Sequence, residues 1–412
     1  MYGTLPRLLA GPPLDGTPER LPAHRERLGP VPGGDEVRDV IPRLEASGLL
    51  GRGGAGFPVG RKWRALAERD RGPAVVIANG AEGELWSWKD RVLMIHRPHL
   101  VIDGAVLAAE AVGAEEVFIY IGGEHEAAVA AVLGALAERS EEPRPPIRVV
   151  AAPTGYVAGE ATAAVNCIDN GDARPTTTPP RVSQRGVGGR PTLVQNVESL
   201  AYAALIARFG DRWYRSAGRL QSPGTALVTV TGAVREPGVR EIELGTTIGE
   251  VAAAARASTD VGAVLLGGYF GTWARAGDAW DLPLDPAVLR ARGLTFGCGL
   301  VALLPNGTCG VAATAEIMSY MADSSARQCG PCAFGLRAIA DATTRIAAMI
   351  ARPRDLDDIE RWNALVTGRG ACHHPDGAVQ LLVSALDVFG DEFLRHARDR
   401  RCESLGSRLD VA

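Results

Sequence analysis

Lysine is nearly absent from this sequence. Of 44 cationic side chains in 412 residues, two are lysines, Lys62 and Lys89, and the rest are arginines. Lysine offers a compact ammonium with three rotatable donors, whereas arginine offers a planar fork. A lysine kept in so arginine-rich a chain therefore suggests a place where the fork does not serve. Charge of one sign is also lacking: the net charge of −4 gives no basic footprint for nucleic acid. No apolar run approaches the roughly 20 residues that span a bilayer. The N-terminus, with Pro6, Pro12, Pro13 and Pro18, has no leader-type hydrophobic stretch. These absences predict a cytoplasmic chain without direct membrane insertion. Cysteines are few: Cys167, Cys298, Cys309, Cys329, Cys332, Cys372 and Cys402. In a reducing compartment they are free thiols or metal ligands, not a disulfide frame.

What is present is a globular composition, 46% hydrophobic and 22% charged, in a chain long enough for roughly two to four domains. Residues 1–35 are rich in proline and glycine and read as an extended surface segment. A helix is expected over Glu36–Ala46, and Ala74–Ala78 is a short apolar run of the kind buried in parallel sheets. His99–Val112 reads as helix, Val117–Ile121 as strand, Glu124–Glu138 as helix and Ile147–Ala151 as strand. This alternation predicts a parallel sheet covered on both faces. The pattern changes near Ser222-Pro223-Gly224. Strand-like Ala226–Gly232 and Val239–Leu244, a short helix over Thr247–Ala255 and a strand over Ala263–Gly268 suggest a compact domain of β-grasp type. Beyond about Gly310, helices over Ala313–Met321, Gly335–Ala351, Leu356–Thr367 and Ala378–His396 suggest a small four-helix bundle.

Two segments carry chemistry, and each holds one lysine. The first runs from Gly51 to Trp63, G-R-G-G-A-G-F-P-V-G-R-K-W. Its glycines permit positive φ and close backbone approach, its N–H groups can cradle a phosphate, and Lys62 adds a point charge. It is neither a Walker loop nor a dinucleotide fingerprint, because no G-K-[ST] follows and no strand precedes it. The bland alternative is a tight connection in a glycine-rich chain. The second segment runs from Asn79 to Arg91, N-G-A-E-G-E-L-W-S-W-K-D-R, at the carboxyl end of the expected strand. Ligands sit there in open α/β sheets. Asn79, Glu82 and Glu84 suit a polar ring edge or ribityl hydroxyls. A solvated acidic turn is the alternative, and Trp86 and Trp88 weigh against it.

Paired in this order, the two segments resemble the flavin-bearing, NADH-oxidising subunit of respiratory complex I and the diaphorase subunits of NAD-linked hydrogenases and formate dehydrogenases. The likeness continues through Gly155-Tyr156-Val157-Ala158-Gly159-Glu160 and Pro191–Leu200 and covers nearly the whole chain after about residue 36. The resemblance implies an α/β Rossmann-like FMN-binding domain over 36–221, a soluble-ligand-binding β-grasp domain over 222–308 and a helical iron–sulfur domain over 309–412. It implies FMN held by Gly51, Arg52, Gly53, Gly54, Gly56, Phe57, Lys62, Asn79, Glu82, Tyr156, Gly159, Glu160 and Asn196. Glu84 would face NAD(H). Electrons would pass from NADH through FMN to an iron–sulfur centre and a ferredoxin-like or thioredoxin-like iron–sulfur subunit of a hetero-oligomer, peripheral to a membrane complex or stand-alone.

The chain departs from the family pattern in several places. Ala81 stands for an Asp, Leu85-Trp86 for Pro-Gly and Ala161 for a second Glu, while Arg174–Arg181 lacks the family's Lys and Phe. Arg174 or Arg181 could supply the missing charge, and Trp86 or Trp88 the stacking face. The alternative function is an electron-transfer or assembly subunit that no longer oxidises NADH. The family cluster uses C-x-x-C-x-x-C and a distant Cys. Here Cys329, Cys332 and Cys372 are present, and Ala326 replaces the first. Three thiolates suit a [3Fe–4S] centre, or a [4Fe–4S] cluster with a fourth donor from Ser325, Cys309, His373 or His374. A Cys3His zinc site fits the same residues, as do packed free thiols. Cys167, Cys298 and Cys402 read as ordinary thiols.

Overall fold

The computed structural model describes residues 5–69, 72–141 and 145–404. The chain divides into two compact units. The first comprises Met1–Thr154, Ala158–Val228 and Val239–Thr246; the second comprises Gly155–Val157, Thr229–Gly238 and Thr247–Ala412.

In the first unit the run at Ala74–Gly80 forms strand β1, inside a four-stranded parallel sheet with β2 (Ala114–Gly122), β3 (Ile147–Ala152) and β4 (Thr192–Asn196). The order is β3-β2-β1-β4. Successive β1 side chains point to opposite faces and both faces are covered: Val76 and Ala78 join one core, Val75 and Ile77 another. A strand buried on both sides must be apolar at every position, which is why it reads as a continuous run.

The helices of this unit are α1 (Leu21–Leu28), α2 (Asp35–Arg38), α3 (Val40–Ser47), α4 (Val59–Ala67), α5 (Lys89–His96), α6 (Pro98–Val112), α7 (Glu126–Glu138), α8 (Ala161–Asn170) and α9 (Val197–Arg215). Helices α6 and α9 pack at close range, because a methyl on Gly104 would lie 2.1 Å from the Leu200 carbonyl oxygen. A buried ionic network joins α1, α6, α7 and α9. Asp103, fully buried, meets His24 Nε2 at 2.7 Å, Arg139 Nη1 at 2.7 Å and Arg208 Nη2 at 2.6 Å.

The expectation of an extended segment over residues 1–35 is corrected. Leu21–Leu28 is helical, with Pro22 in the first turn, where a missing N–H costs nothing. Leu8 is fully buried, and the buried Arg97 donates to the carbonyls of Leu9 (2.7 Å), Ala10 (2.8 Å) and Pro12 (2.6 Å). Residues 1–4 lie outside the described part. The single helix expected over Glu36–Ala46 is two, α2 and α3, interrupted at Asp39.

A five-stranded mixed sheet is built from β5 (Thr225–Gly232), β6 (Gly238–Glu243), β7 (Val261–Leu266), β8 (Thr272–Arg275) and β9 (Leu300–Pro305), in the order β8-β7-β9-β5-β6. Strand β9 runs parallel to β5 and antiparallel to β7. Helix α10 (Ile248–Ala254) starts in a capping box of Thr247 and Glu250. Short helices α11 (Ala276–Ala279) and α12 (Pro286–Ala291) follow. A helical region then comprises α13 (Gly310–Asp323), a π-helical turn at Pro331–Leu336 leading into α14 (Arg337–Ala347), α15 (Asp355–Val366) and α16 (His374–Leu394). Among the described residues no single helix is long and apolar enough to cross a membrane.

Candidate functional site

Open parallel sheets bind ligands outside the carboxyl ends of their strands, where successive connections diverge to opposite sides. Here that point lies between β1 and β4, since the chain steps outward from β1 through β2 to β3 and then returns to β4 on the other side. Asn79 and Asn196, at the ends of these two strands, are register partners. Asn79 Nδ2 donates to the Gly159 carbonyl at 2.9 Å, while Asn196 caps α9 through Glu198 N at 3.0 Å and donates to Asp90 Oδ2 at 2.7 Å. Gly159 lies tight against the acidic turn, where a methyl on it would meet the Ala81 carbonyl oxygen at 3.1 Å.

The glycine loop follows a helix, as its failure to match a dinucleotide fingerprint predicts. Its base is closed by Gly51 N to Phe57 O at 2.9 Å and Val59 N to Leu49 O at 3.0 Å. Its tip reaches the end of β4: a methyl on Gly53 would meet Asn196 Cβ at 3.2 Å, and Gly54 has φ +108°, which favours glycine. Arg52 N donates to Ser199 Oγ at 2.9 Å. The Arg52 guanidinium turns into the interior, donating to Tyr214 Oη at 3.2 Å and Thr225 O at 2.9 Å, so its role in the loop falls to its backbone. Phe57 stands at the rim, 56% exposed.

The two lysines have opposite environments. Lys62, on α4, donates to the Val194 carbonyl, and burial alone pushes its pKa down to about 8. The next residue along β4, Gln195, holds a buried Oε1 without a hydrogen-bond partner. Among the described residues no carboxylate contributes to the Lys62 shift, and a cation so placed on the helix that follows a glycine loop fits an anionic ligand. Lys89 is buried against Asp90 at 2.6 Å and Glu198 at 3.0 Å. Burial would lower its pKa, but these carboxylates and Glu82 raise it. It is the inner half of a structural ion cluster.

In the acidic turn, Glu82 is buried and accepts from Ser87 Oγ at 2.6 Å and from Asp90 N and Arg91 N at 3.3 Å each, which caps α5. Burial, reinforced by Asp90, raises its pKa. Glu84 is half-buried, and its carbonyl accepts from Ser87 N at 3.1 Å. Trp86 is buried, so of the two expected stacking faces only Trp88 remains partly open, with the Arg91 guanidinium 5.7 Å from its ring centre. Arg174 is exposed and paired with Asp172. Glu160 caps α8 through Thr162 N at 2.8 Å and Ala163 N at 3.0 Å.

In the second unit, Tyr156 sits in an aromatic group with Phe270 (4.7 Å), His374 (5.6 Å) and Tyr269 (6.3 Å). Cys332 is buried at the start of the helix leading into α14. Burial pushes its thiol up to about 12, with Cys329 and Cys372 adding to the effect as near neighbours. Three thiols so placed fit a cluster that binds them as thiolates. Among the candidate fourth donors, His374 Nε2 bonds the Met321 carbonyl at 2.7 Å, while its buried Nδ1 has no partner. His373 is exposed, and Ser325 Oγ donates to Ala322 O at 2.8 Å. Cys309 is grouped instead with Glu392, His396 and Cys402.

Sequence reasoning did not single out Gln195, Glu198 or Ser199. The available signal was polar residues interrupting the otherwise apolar end of β4 and start of α9.

Residues 44–204 match the family model described as the Nuo51 FMN-binding domain, and residues 312–396 match the NADH-ubiquinone oxidoreductase-F iron–sulfur binding region. Parallel-sheet site and helical region together thus define an oxidoreductase flavoprotein with an iron–sulfur segment. The F 2 subunit of the Rhizobium meliloti NADH-quinone oxidoreductase is 31% identical over 379 residues, covering 88% of this chain and 90% of that protein. The F subunit of the Streptomyces coelicolor NADH-quinone oxidoreductase is 31% identical over 390 residues, covering 88% and 84%. A chain of a solved NAD+-reducing [NiFe]-hydrogenase in the H2-reduced state superposes with a TM-score of 0.82 at 29% identity; the match covers 88% of this chain but 63% of the hydrogenase chain. The chain belongs to the family of NADH-quinone oxidoreductase F subunits.

Proposed function

We propose that this chain is the electron-entry flavoprotein of a hetero-oligomer, taking electrons from NADH and handing them through an iron–sulfur centre to a ferredoxin-like or thioredoxin-like iron–sulfur partner in the cytoplasm. Bound FMN supplies hydride acceptance and one-electron release, while the protein supplies binding, orientation and electrostatics. The N–H groups of Gly53, Gly54 and Gly56, with Lys62, would hold the phosphate, Gly51 and Arg52 brace the loop through Phe57 O and Ser199 Oγ, and Phe57 covers the rim. Asn79, Asn196 and Gly159 set the polar edge at the strand ends. Glu82 and Glu160 hold the acidic turn and α8 in place as caps. Tyr156 closes the segment before Gly159, and Glu84 orients the nicotinamide ribose. No side chain acts as a general base. Cys329, Cys332 and Cys372 hold a [3Fe–4S] or [4Fe–4S] centre; the unpartnered Nδ1 of His374 favours that residue as fourth donor. We assign residues 36–221 to FMN binding, 222–308 to a β-grasp domain and 309–412 to a four-helix iron–sulfur bundle.

The observation that carries the reading is Lys62, a partly buried cation that donates to the Val194 carbonyl from the helix following the glycine loop. The test is an anaerobic visible spectrum of the purified protein before and after NADH. Bleaching of the flavin band is expected. A flavin that stays oxidised with NADH but reduces with dithionite would refute NADH use and assign the chain to electron transfer or assembly.

A further inference from the structure

Four metal-ligating side chains outside the sites above converge at the end of the helical region. Single ligand atoms of Cys309, Glu392, His396 and Cys402 all lie within 4.8 Å of one another. Cys309 precedes the first turn of α13, Glu392 lies in the last turn of α16, His396 follows in a π-helical turn at Arg395–Asp399, and Cys402 lies in the tail beyond. Cys309 and His396 are buried, and the other two are half-buried.

The surroundings orient these groups toward a common point. His396 Nδ1 lies 3.3 Å from the Ile346 carbonyl, which can only accept, so the proton sits on Nδ1 and the Nε2 lone pair is free. That Nε2 faces Cys309 Sγ at 3.7 Å and Glu392 Oε1 at 4.0 Å. Holding one ring nitrogen on a carbonyl so that the other can ligate is the usual support of metal-bound histidine. Glu392 is itself steadied by Gly310 N at 3.2 Å and Ser404 Oγ at 3.3 Å. Cys309 Sγ accepts from Ala312 N at 3.3 Å, which fixes the side chain at the start of α13.

Magnitude discriminates between ions. Zn–S and Zn–N bonds of about 2.3 and 2.0 Å in a tetrahedron place sulfur and nitrogen about 3.5 Å apart. The 3.7 Å between Cys309 Sγ and His396 Nε2 is already close to that edge. Two sulfurs, one imidazole and one carboxylate suit a borderline-soft ion and not magnesium or calcium, which take oxygen sets. The set is also separate from the other cysteines: Cys309 has Glu392 and Cys402 as electrostatic neighbours, whereas Cys332 has Cys329 and Cys372.

We propose that Cys309, Glu392, His396 and Cys402 form a tetrahedral zinc site that clasps the C-terminal tail onto the helical region. The ion closes a loop between residues 309 and 402 and fixes the chain beyond α16. Cys402, unremarkable in sequence, becomes a ligand, and Cys309 is withdrawn from the iron–sulfur set.

The test is elemental analysis of the full-length holoprotein, incubated with Zn2+ and passed through gel filtration. One zinc per chain is expected in addition to iron. Cys402→Ser and His396→Ala should each cut bound zinc at least tenfold with iron retained. Cys332→Ser should lose iron and keep zinc. Substitution with Co2+ should give the intense visible bands of a tetrahedral thiolate site, and these bands should be largely lost in Cys402→Ser. Circular dichroism checks that each variant is folded; Cys402→Ser, in the half-buried tail, keeps the test open should His396→Ala unfold. A wild-type protein that retains no zinc, full zinc in both ligand variants, or zinc lost together with iron in Cys332→Ser would each overturn the proposal.

Discussion

Replacing Lys62 with methionine separates what the site costs the fold from what it does for a ligand. Burial lowers the Lys62 pKa to about 8, with no carboxylate compensating. A lysine in the unfolded chain titrates near 10.4, and each unit of difference is worth about 1.4 kcal/mol, so the penalty is at most about 3 kcal/mol. Part of the side chain reaches solvent, and the bond to the Val194 carbonyl is lost in the variant. Both reduce the expected gain to about 1–2 kcal/mol for the Lys62→Met apoprotein at pH 7. Because the folded pKa lies below the unfolded one, the unfolded chain binds more protons between about pH 8 and 10.4, and wild-type stability rises with pH there. The advantage of Lys62→Met is therefore full below pH 8 and fades by about pH 10. Urea denaturation of both apoproteins at pH 7, 8.5 and 10 measures it. FMN titration should show affinity at least tenfold weaker in the variant. A variant less stable than wild type at pH 7, an advantage that grows with pH, or unchanged FMN affinity would refute the reasoning.

Other outcomes follow from the same geometry. Gly104→Ala places a methyl 2.1 Å from the Leu200 carbonyl oxygen, so α6 and α9 must part. The expected loss is about 3 kcal/mol, read from the urea midpoint, and an unmoved midpoint would contradict the packing. Burial would raise the Asp103 pKa, but His24, Arg139 and Arg208 hold it down at about 2. Its contribution is thus present above about pH 4 and lost as pH falls toward 2. Asp103→Asn should cost about 3–5 kcal/mol at neutral pH and flatten the acid limb of a stability–pH curve. Cys332→Ser should remove the brown colour and the EPR signal of the reduced protein; a variant that keeps both would disprove the cluster assignment.

Much of the fold is legible because burial writes a local pattern. The run at Ala74–Ala78 has to be apolar throughout as a strand covered on both faces, and the expected helix at His99–Val112 appears as Pro98–Val112. The glycine loop and the Cys329–Cys332 spacing are visible for the same reason, since their chemistry needs residues a few positions apart. The N-terminal helix escapes such a reading because proline reads as a breaker where Pro22 serves as a first-turn residue.

Other features depend on where distant parts of the chain meet. Lys62 and Lys89 look alike in the sequence. Only the fold brings Glu198 to Lys89 and leaves Lys62 against a backbone carbonyl. Arg52 reads as a loop cation, yet Tyr214 and Thr225 draw its guanidinium inward. Cys309 and His396 are 87 residues apart, and no periodicity could join them. The sequence by itself determined the buried strands, most of the helices, the order of its motifs and its family, because these rest on short-range pattern. Tertiary structure decided which charges are neutralised and which ligands converge, because electrostatic and coordinate bonds act over a few ångströms whatever the separation along the chain.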